Sequence, residues 1–177
     1  MTRFIKQSIQ GVFLIENFMA EDARGVFVKT LSAGKLESMG FISPFRESYY
    51  SKSFKNVIRG MHFQIPPYEH DKLVYVTEGN ILDVVLDIRI SSSTYGKYLS
   101  FNLSAFGDSV IIPRGCAHGF LTLSETATVV YNVTSEYEPS ADKGILWDSF
   151  GFNWGIKDPV ISDRDKSFSG FKESSFF

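Results

Sequence analysis

Short apolar or alternating runs, separated by turn residues, recur along the chain at 12–15, 26–30, 72–77, 81–89, 99–103, 110–112, 119–123 and 126–134. Each reads as a β-strand. Period-two alternation is clearest at 81–89. It sets Leu82, Val84, Leu86 and Ile88 on one face and Asp83, Val85, Asp87 and Arg89 on the other. Glu78-Gly79-Asn80 lies between two such runs and reads as a hairpin turn. Helical signal is confined to 32–39 and 162–168, and 170–177 carries little pattern. Many short strands at close spacing predict an all-β sandwich or barrel with short peripheral helices.

With 177 residues, 44% hydrophobic and 21% charged, the chain is expected to form one domain over 1–177 with a substantial core. No repeat, low-complexity tract or linker divides it. The 17 Phe and 8 Tyr point to a thick aromatic core or to stacking surfaces. A formal charge of −2 argues against a general nucleic-acid or anionic-membrane binder. No run approaches the roughly 18 apolar residues of a membrane span, and no long apolar stretch follows Met1-Thr2-Arg3-Phe4-Ile5-Lys6, so no secretory signal is expected. A single cysteine, Cys116, precludes an internal disulfide framework and fits a reducing cytoplasm. It reads as a small buried packing residue rather than a nucleophile.

The chemistry-bearing residues are few. The three histidines are His62, His70 and His118. Two of them sit in glycine-bearing segments, Arg59-Gly60-Met61-His62-Phe63-Gln64 and Pro113-Arg114-Gly115-Cys116-Ala117-His118-Gly119. Taken singly, each could be a satisfied structural histidine, a catalytic group or a metal ligand. Zinc or iron could take three histidines, but no dense His-x-His pair and no carboxylate at ligand spacing supports a metal site. Lys72, entering an apolar strand, could place a cation in a cleft against a developing oxyanion, or simply end the strand in solvent. Tyr131 alternates onto one face of 126–134, as a core aromatic or as a functional phenol. Asp165, in Ser162-Asp163-Arg164-Asp165, fits a helix capping box and equally fits the carboxylate that holds a catalytic histidine.

In the order and spacing of its segments the chain resembles the dTDP-4-dehydrorhamnose 3,5-epimerase family. The segments are Asp22-Ala23-Arg24-Gly25-Val26-Phe27, Arg59-Gly60-Met61-His62-Phe63-Gln64, Lys72-Leu73-Val74 and Thr94-Tyr95-Gly96-Lys97. They continue through Ile112-Pro113-Arg114-Gly115-Cys116-Ala117-His118-Gly119-Phe120-Leu121, Tyr131, Tyr137-Glu138-Pro139 and Pro159-Val160-Ile161-Ser162-Asp163-Arg164-Asp165. The resemblance implies a cupin-type double-stranded β-helix (jelly roll) and a homodimer with exchanged N-terminal strands. It implies a cofactor-independent epimerase, with no metal, acting on a nucleotide-diphosphate sugar. His62 would be the base, Asp165 its partner, Lys72 the enolate stabiliser with His118 nearby, and Tyr131 the acid on the opposite face. Arg24 and Arg59 would contact phosphate and sugar, and Tyr137 would border the base.

The departures from the family pattern cluster. Ala20 replaces a phenylalanine, Lys29 a glutamate, and Glu47-Ser48-Tyr49 a Gln-x-Asn segment. These positions, Lys29, Glu47 and Tyr49 above all, are expected at the base and sugar end of the pocket. The reading is that the proton chemistry is kept while the nucleotide, the sugar or the set of inverted carbons differs. A GDP- or CDP-linked sugar, or inversion at one carbon, would fit. Two alternatives share the fold: a nucleotide-sugar 3,4-ketoisomerase, which has no need of an opposite-face acid, and a ligand-binding cupin.

Overall fold

The structure, a computed structural model, describes residues 2–41 and 43–173. Its first strands are β1 (Arg3–Lys6), β2 (Phe13–Glu16), β3 (Phe18–Asp22) and β4 (Gly25–Lys29), followed by helix α1 (Ala33–Ser38). Next come β5 (Glu47–Phe54), β6 (Ile58–Gln64), β7 (Lys72–Glu78), β8 (Asn80–Asp87) and β9 (Tyr98–Ser104). The chain continues with β10 (Ser109–Ile112), β11 (Cys116–Thr122), β12 (Thr126–Val133) and β13 (Asp142–Gly144). Helix α2 (Asp163–Lys166) and a 3₁₀ turn at Phe171–Glu173 close the described part.

The strands form two antiparallel sheets, ordered β1-β2-β10-β7-β12-β5 and β13-β6-β11-β8-β9, and a separate β3-β4 hairpin. Val74, Val110, Val129 and Tyr131 from the first sheet pack on Ile81, Val85, Leu103 and Phe120 from the second. The sheets therefore lie face to face around one apolar core, as a cupin-type jelly roll. β12 shows why its sequence folds this way: Ala127, Val129, Tyr131 and Val133 turn inward and the residues between them do not.

The alternation read at 81–89 holds in β8, but both faces are buried. Val84, Leu86 and Ile88 pack outward under Phe150 and Trp154, whereas Val85 faces the inter-sheet core and Asp83 is 0% exposed. The segment after β13 supplies that outer layer. A strand covered on both sides has no polar face to reveal which side is the interior.

Glu78-Gly79-Asn80 is not a hairpin turn. Glu78 pairs into the first sheet opposite Thr128 and Asn80 into the second opposite Ser104, so the segment is a corner between sheets. Gly79, at φ +74°, makes that corner, and a Cβ there would collide with the Thr126 carbonyl. Both expected helices form, shorter than read. Of the patternless tail, Phe171 joins the outer apolar layer, and 174–177 lie outside the described residues. The strands that pattern alone did not reveal are β1, β3, β5, β6 and β13. β5 reads Glu-Ser-Tyr-Tyr-Ser-Lys-Ser-Phe, a polar edge strand without an apolar face.

Candidate active site

β6 carries His62 along the inner end of the second sheet, with its side chain 30% exposed. Its Nε2 lies 2.9 Å from Asp165 Oδ1. Asp165 sits on α2, where Ser162 caps the helix by accepting the Asp165 N–H at 3.1 Å. The acid does not reciprocate in a capping box: its other oxygen accepts the Gly60 N–H at 3.1 Å. Burial raises the Asp165 pKa, but the hydrogen bond and charge of His62, with the Gly60 and Ser162 contacts, hold it below the ordinary carboxylate range. An ionised Asp165 accepts, so His62 Nε2 carries the hydrogen and Nδ1 is left with its lone pair.

Lys72 opens β7 and is 6% exposed. Its ammonium donates to the His62 carbonyl at 3.1 Å. Burial pushes its pKa down to about 8, against the opposing pull of Asp142 and Asp83. His118, on β11, is the register partner of His62. Its Nε2 meets Asp83 Oδ2 at 2.6 Å, with both side chains buried. The third histidine, His70, lines the same cleft as His62 and Lys72, and its Nδ1 lies 3.1 Å from Ser135 Oγ. Burial and the neighbouring Lys72 and Arg114 cations depress its pKa to about 3, so it is neutral. Among the described residues, no group of three or more His, Cys, Asp or Glu side chains could hold a metal ion.

Tyr131 comes from β12 in the opposite sheet and is 8% exposed. Burial drives its phenol pKa upward, so it is a protonated acid at neutral pH. Its ring stacks on Tyr49 of β5, with centroids 4.9 Å apart and planes at 21°. Its hydroxyl is 3.4 Å from Ser51 Oγ.

These side chains surround two adjoining cavities. The inner one, about 260 Å³, is lined by Tyr49, Arg59, His62, Lys72, His118 and Tyr131, with Ser51 and Phe120. The outer one, about 320 Å³, shares Tyr49, His62 and Lys72 and adds Glu47, Gln64, Tyr137, Asp142 and Arg164 among others. Glu47 accepts the Tyr137 N–H at 2.7 Å, and Arg59 donates to Ser53 at 2.8 Å. Eight of the eleven residues singled out from sequence therefore line one connected space, and Asp165 stands behind it on His62. The last two, Arg24 and Lys29, ride on the β3-β4 hairpin and line neither cavity; Arg24 is held by Asp22 at 2.6 Å.

A base, an acid and a buried cation around one space are the elements of proton transfer beside a carbonyl. Residues 6–173 match the family described as dTDP-4-dehydrorhamnose 3,5-epimerase. The chain belongs to that family. A relative of that name in Shigella flexneri is 37% identical, over 98% of both chains. Among solved structures, the dTDP-4-dehydrorhamnose 3,5-epimerase of Bacillus anthracis with TDP and PPi bound superposes with a TM-score of 0.92 at 32% identity, covering 96% of this chain and 99% of that one. A 3'-monoepimerase from Streptomyces bikiniensis in complex with dTDP-quinovose superposes at 0.88 and 27% identity, covering 94% and 86%.

Within this epimerase family member, the two glycine-bearing segments have a packing reason. Gly60 has φ +134°, and a Cβ on Gly119 would lie 2.7 Å from Met61 Sδ and 2.8 Å from the Arg59 carbonyl. Only glycines let β6 and β11 approach this closely beside a bulge at 118–120, and that approach sets His62 opposite His118. Sequence reasoning missed Asp83, Gln64, Asp142 and Arg164. Asp83 had a signal, an acid in the middle of an apolar strand; Asp142 and Arg164, joined at 2.6 Å, had none, because their pairing spans 22 positions.

Proposed function

We propose that this protein inverts C3, C5 or both in a nucleotide-diphosphate 4-keto-6-deoxyhexose by removing and returning a proton beside the ketone. The observation that carries the reading is that His62 and Tyr131 come from opposite sheets and line the same 260 Å³ cavity. A base on one side and an acid on the other are what inversion needs.

His62 Nδ1 takes the proton from the carbon next to C4, and Asp165 stabilises the imidazolium that results. The negative charge that develops on the ketone oxygen falls to Lys72, with the Asp83-held His118 beside it. Tyr131 then returns a proton to the other face. Near neutral pH Lys72, lowered by burial to about 8, is still charged, and Tyr131, raised by burial, is fully protonated before it reacts. No metal or redox group enters any of these steps. A ketoisomerase would have no use for the Tyr131 placement.

Arg59, Glu47, Tyr49 and Tyr137 would hold the nucleotide diphosphate, and a bidentate guanidinium suits pyrophosphate. Of the departures from the family pattern, Glu47 lines the outer cavity alone, whereas Tyr49 lines both cavities and stacks on Tyr131. The base is accordingly proposed to be other than thymine. Thymine offers a carboxylate one donor, N3–H, flanked by two repelling carbonyl oxygens, whereas guanine and cytosine offer exocyclic amino groups.

A homodimer with exchanged N-terminal strands completes this reading. Phe18, Met19, Val26 and Phe27 are exposed on the β3-β4 hairpin, and a two-stranded ribbon is marginal alone. Docked on a second copy, it would deliver Arg24 and Lys29 to that copy's cavity. No described helix is long and apolar enough to cross a membrane. A free buried Cys116 and a nucleotide-sugar substrate fit work in the cytoplasm. Uptake of solvent deuterium beside the ketone, lost in His62→Asn, tests the function.

A further inference from the structure

We propose that Ser51 is the proton relay that recharges Tyr131 between turnovers. The inference rests on the epimerase reading above and concerns a step that reading leaves open. Once Tyr131 has given its proton to carbon, it is a buried phenolate that must be reprotonated before the next cycle. At 8% exposure it meets little solvent itself.

Among the described residues, the Tyr131 hydroxyl has one hydrogen-bond partner, Ser51 Oγ at 3.4 Å. The contact follows from strand register. Tyr131 is directly opposite Tyr49, and Ser51 lies two residues further along the same face of β5 as its diagonal neighbour. The ring of Tyr49 covers one face of the phenol, and the His118 ring stands at its edge with centroids 6.0 Å apart and its Nε2 taken up by Asp83. Ser51 also lines the inner cavity, is only partly buried, and sits on the strand that ends the six-stranded sheet. It therefore touches Tyr131 on one side and is open to water on the other. A hydroxyl both donates and accepts, which is what a relay requires.

The protons balance. His62 takes one from the substrate carbon and releases it to solvent. Tyr131 gives one to the opposite face of that carbon. The Ser51 O–H then passes its proton to the phenolate oxygen as a water molecule supplies one to Ser51 Oγ. The hydroxide left is neutralised by the proton from His62, and the enzyme returns to its starting state.

Ser51 acts through Tyr131, so a merely structural role must be told apart from a relay. Ser51→Val fills the place of the hydroxyl, excludes water from it and suits a strand; Ser51→Thr keeps the hydroxyl. Rapid-quench measurement of inverted product is expected to show Ser51→Val completing one inversion per site at the wild-type rate. Later turnovers should then be slower by about ten-fold or more, the loss of one proton-transfer aid. Ser51→Thr should show no such burst. Equal steady-state rates for the Val and Thr variants would overturn the relay. So would a Val variant whose first turnover is slowed as much as the later ones, since Ser51 would then only orient the ring. If the wild-type protein takes up no solvent deuterium from any 4-keto sugar nucleotide, the epimerase reading and the relay fall together; either of the former results with wild-type uptake intact sinks the relay alone.

Discussion

His62 and His118 are register partners on adjacent strands, and each holds its own aspartate, Asp165 at 2.9 Å and Asp83 at 2.6 Å. They differ in access: the His62 side chain is 30% exposed and that of His118 is 4%. The half-open pair can reach a substrate C–H and exchange its proton with solvent. The closed pair is suited to a fixed contact. Two similar dyads thus take different parts because His62 lines both cavities, whereas the buried His118 lines only the inner one.

Asp165→Asn keeps an acceptor near the Gly60 N–H but removes the charge that stabilises a protonated His62. Turnover is expected to fall by about 10²–10⁴-fold, as when a histidine loses its orienting carboxylate. Substrate KM should change little. Steady-state kinetics check this, and near-wild-type turnover would contradict the assigned pairing.

Lys72 makes activity and stability respond to pH in opposite directions. Burial lowers its pKa to about 8 from the ordinary 10.5, so turnover should decline as pH rises through about 8 and the ammonium is lost. Between those two values the unfolded chain binds more protons than the folded one, so stability rises with pH across the same window. Lys72→Met should lower turnover by about 10²–10³-fold, the scale of one oxyanion donor, and leave Tm unchanged or raised. A pH–rate profile and a melting series on both proteins check the two directions together.

Tyr131→Phe retains the stacked ring on Tyr49 and loses only the acid. Inverted product should form about 10²–10⁴-fold more slowly, while deuterium exchange with retention, which needs His62 alone, persists. Product analysis by NMR separates the two. Loss of both activities together would argue against Tyr131 as the opposite-face donor.

Equilibrium binding of dTDP, GDP and CDP should show no preference for dTDP, because Glu47 places a carboxylate in the lining of the outer cavity. A preferred GDP or CDP is expected by about ten-fold, the scale of one good base-edge contact. Clear preference for dTDP would remove the nucleotide part of the reading and leave the proton chemistry untouched.

How much of this was legible in the sequence depends on where the partners of each residue lie. β8 and β12 declared themselves through alternation, and β8 even placed Asp83 on the face that turns inward. What alternation could not say was which face of β8 lines the barrel, because the outer cover of Phe150 and Trp154 comes from far along the chain. The corner at Gly79 was read as a hairpin because a tight turn looks the same whether the chain returns to its own sheet or crosses to another. Asp165 showed both of its local possibilities, and the structure gives it one half of the cap and the whole of the histidine contact. β5 was silent, being polar and at an edge, yet it carries Glu47, Tyr49 and Ser51 to the cavities. Edge strands that line a site answer to the ligand rather than to the core, so hydrophobic patterning does not find them.

The central claim is that His62 removes a proton from carbon beside a ketone. The most direct measurement incubates the protein in D₂O with dTDP-, GDP- and CDP-linked 4-keto-6-deoxysugars and reads deuterium at C3 and C5 by NMR, with His62→Asn in parallel. The account predicts uptake at C3, C5 or both from at least one substrate, abolished in the variant. Uptake that survives in His62→Asn, or none from any of the substrates with the wild-type protein, would contradict it.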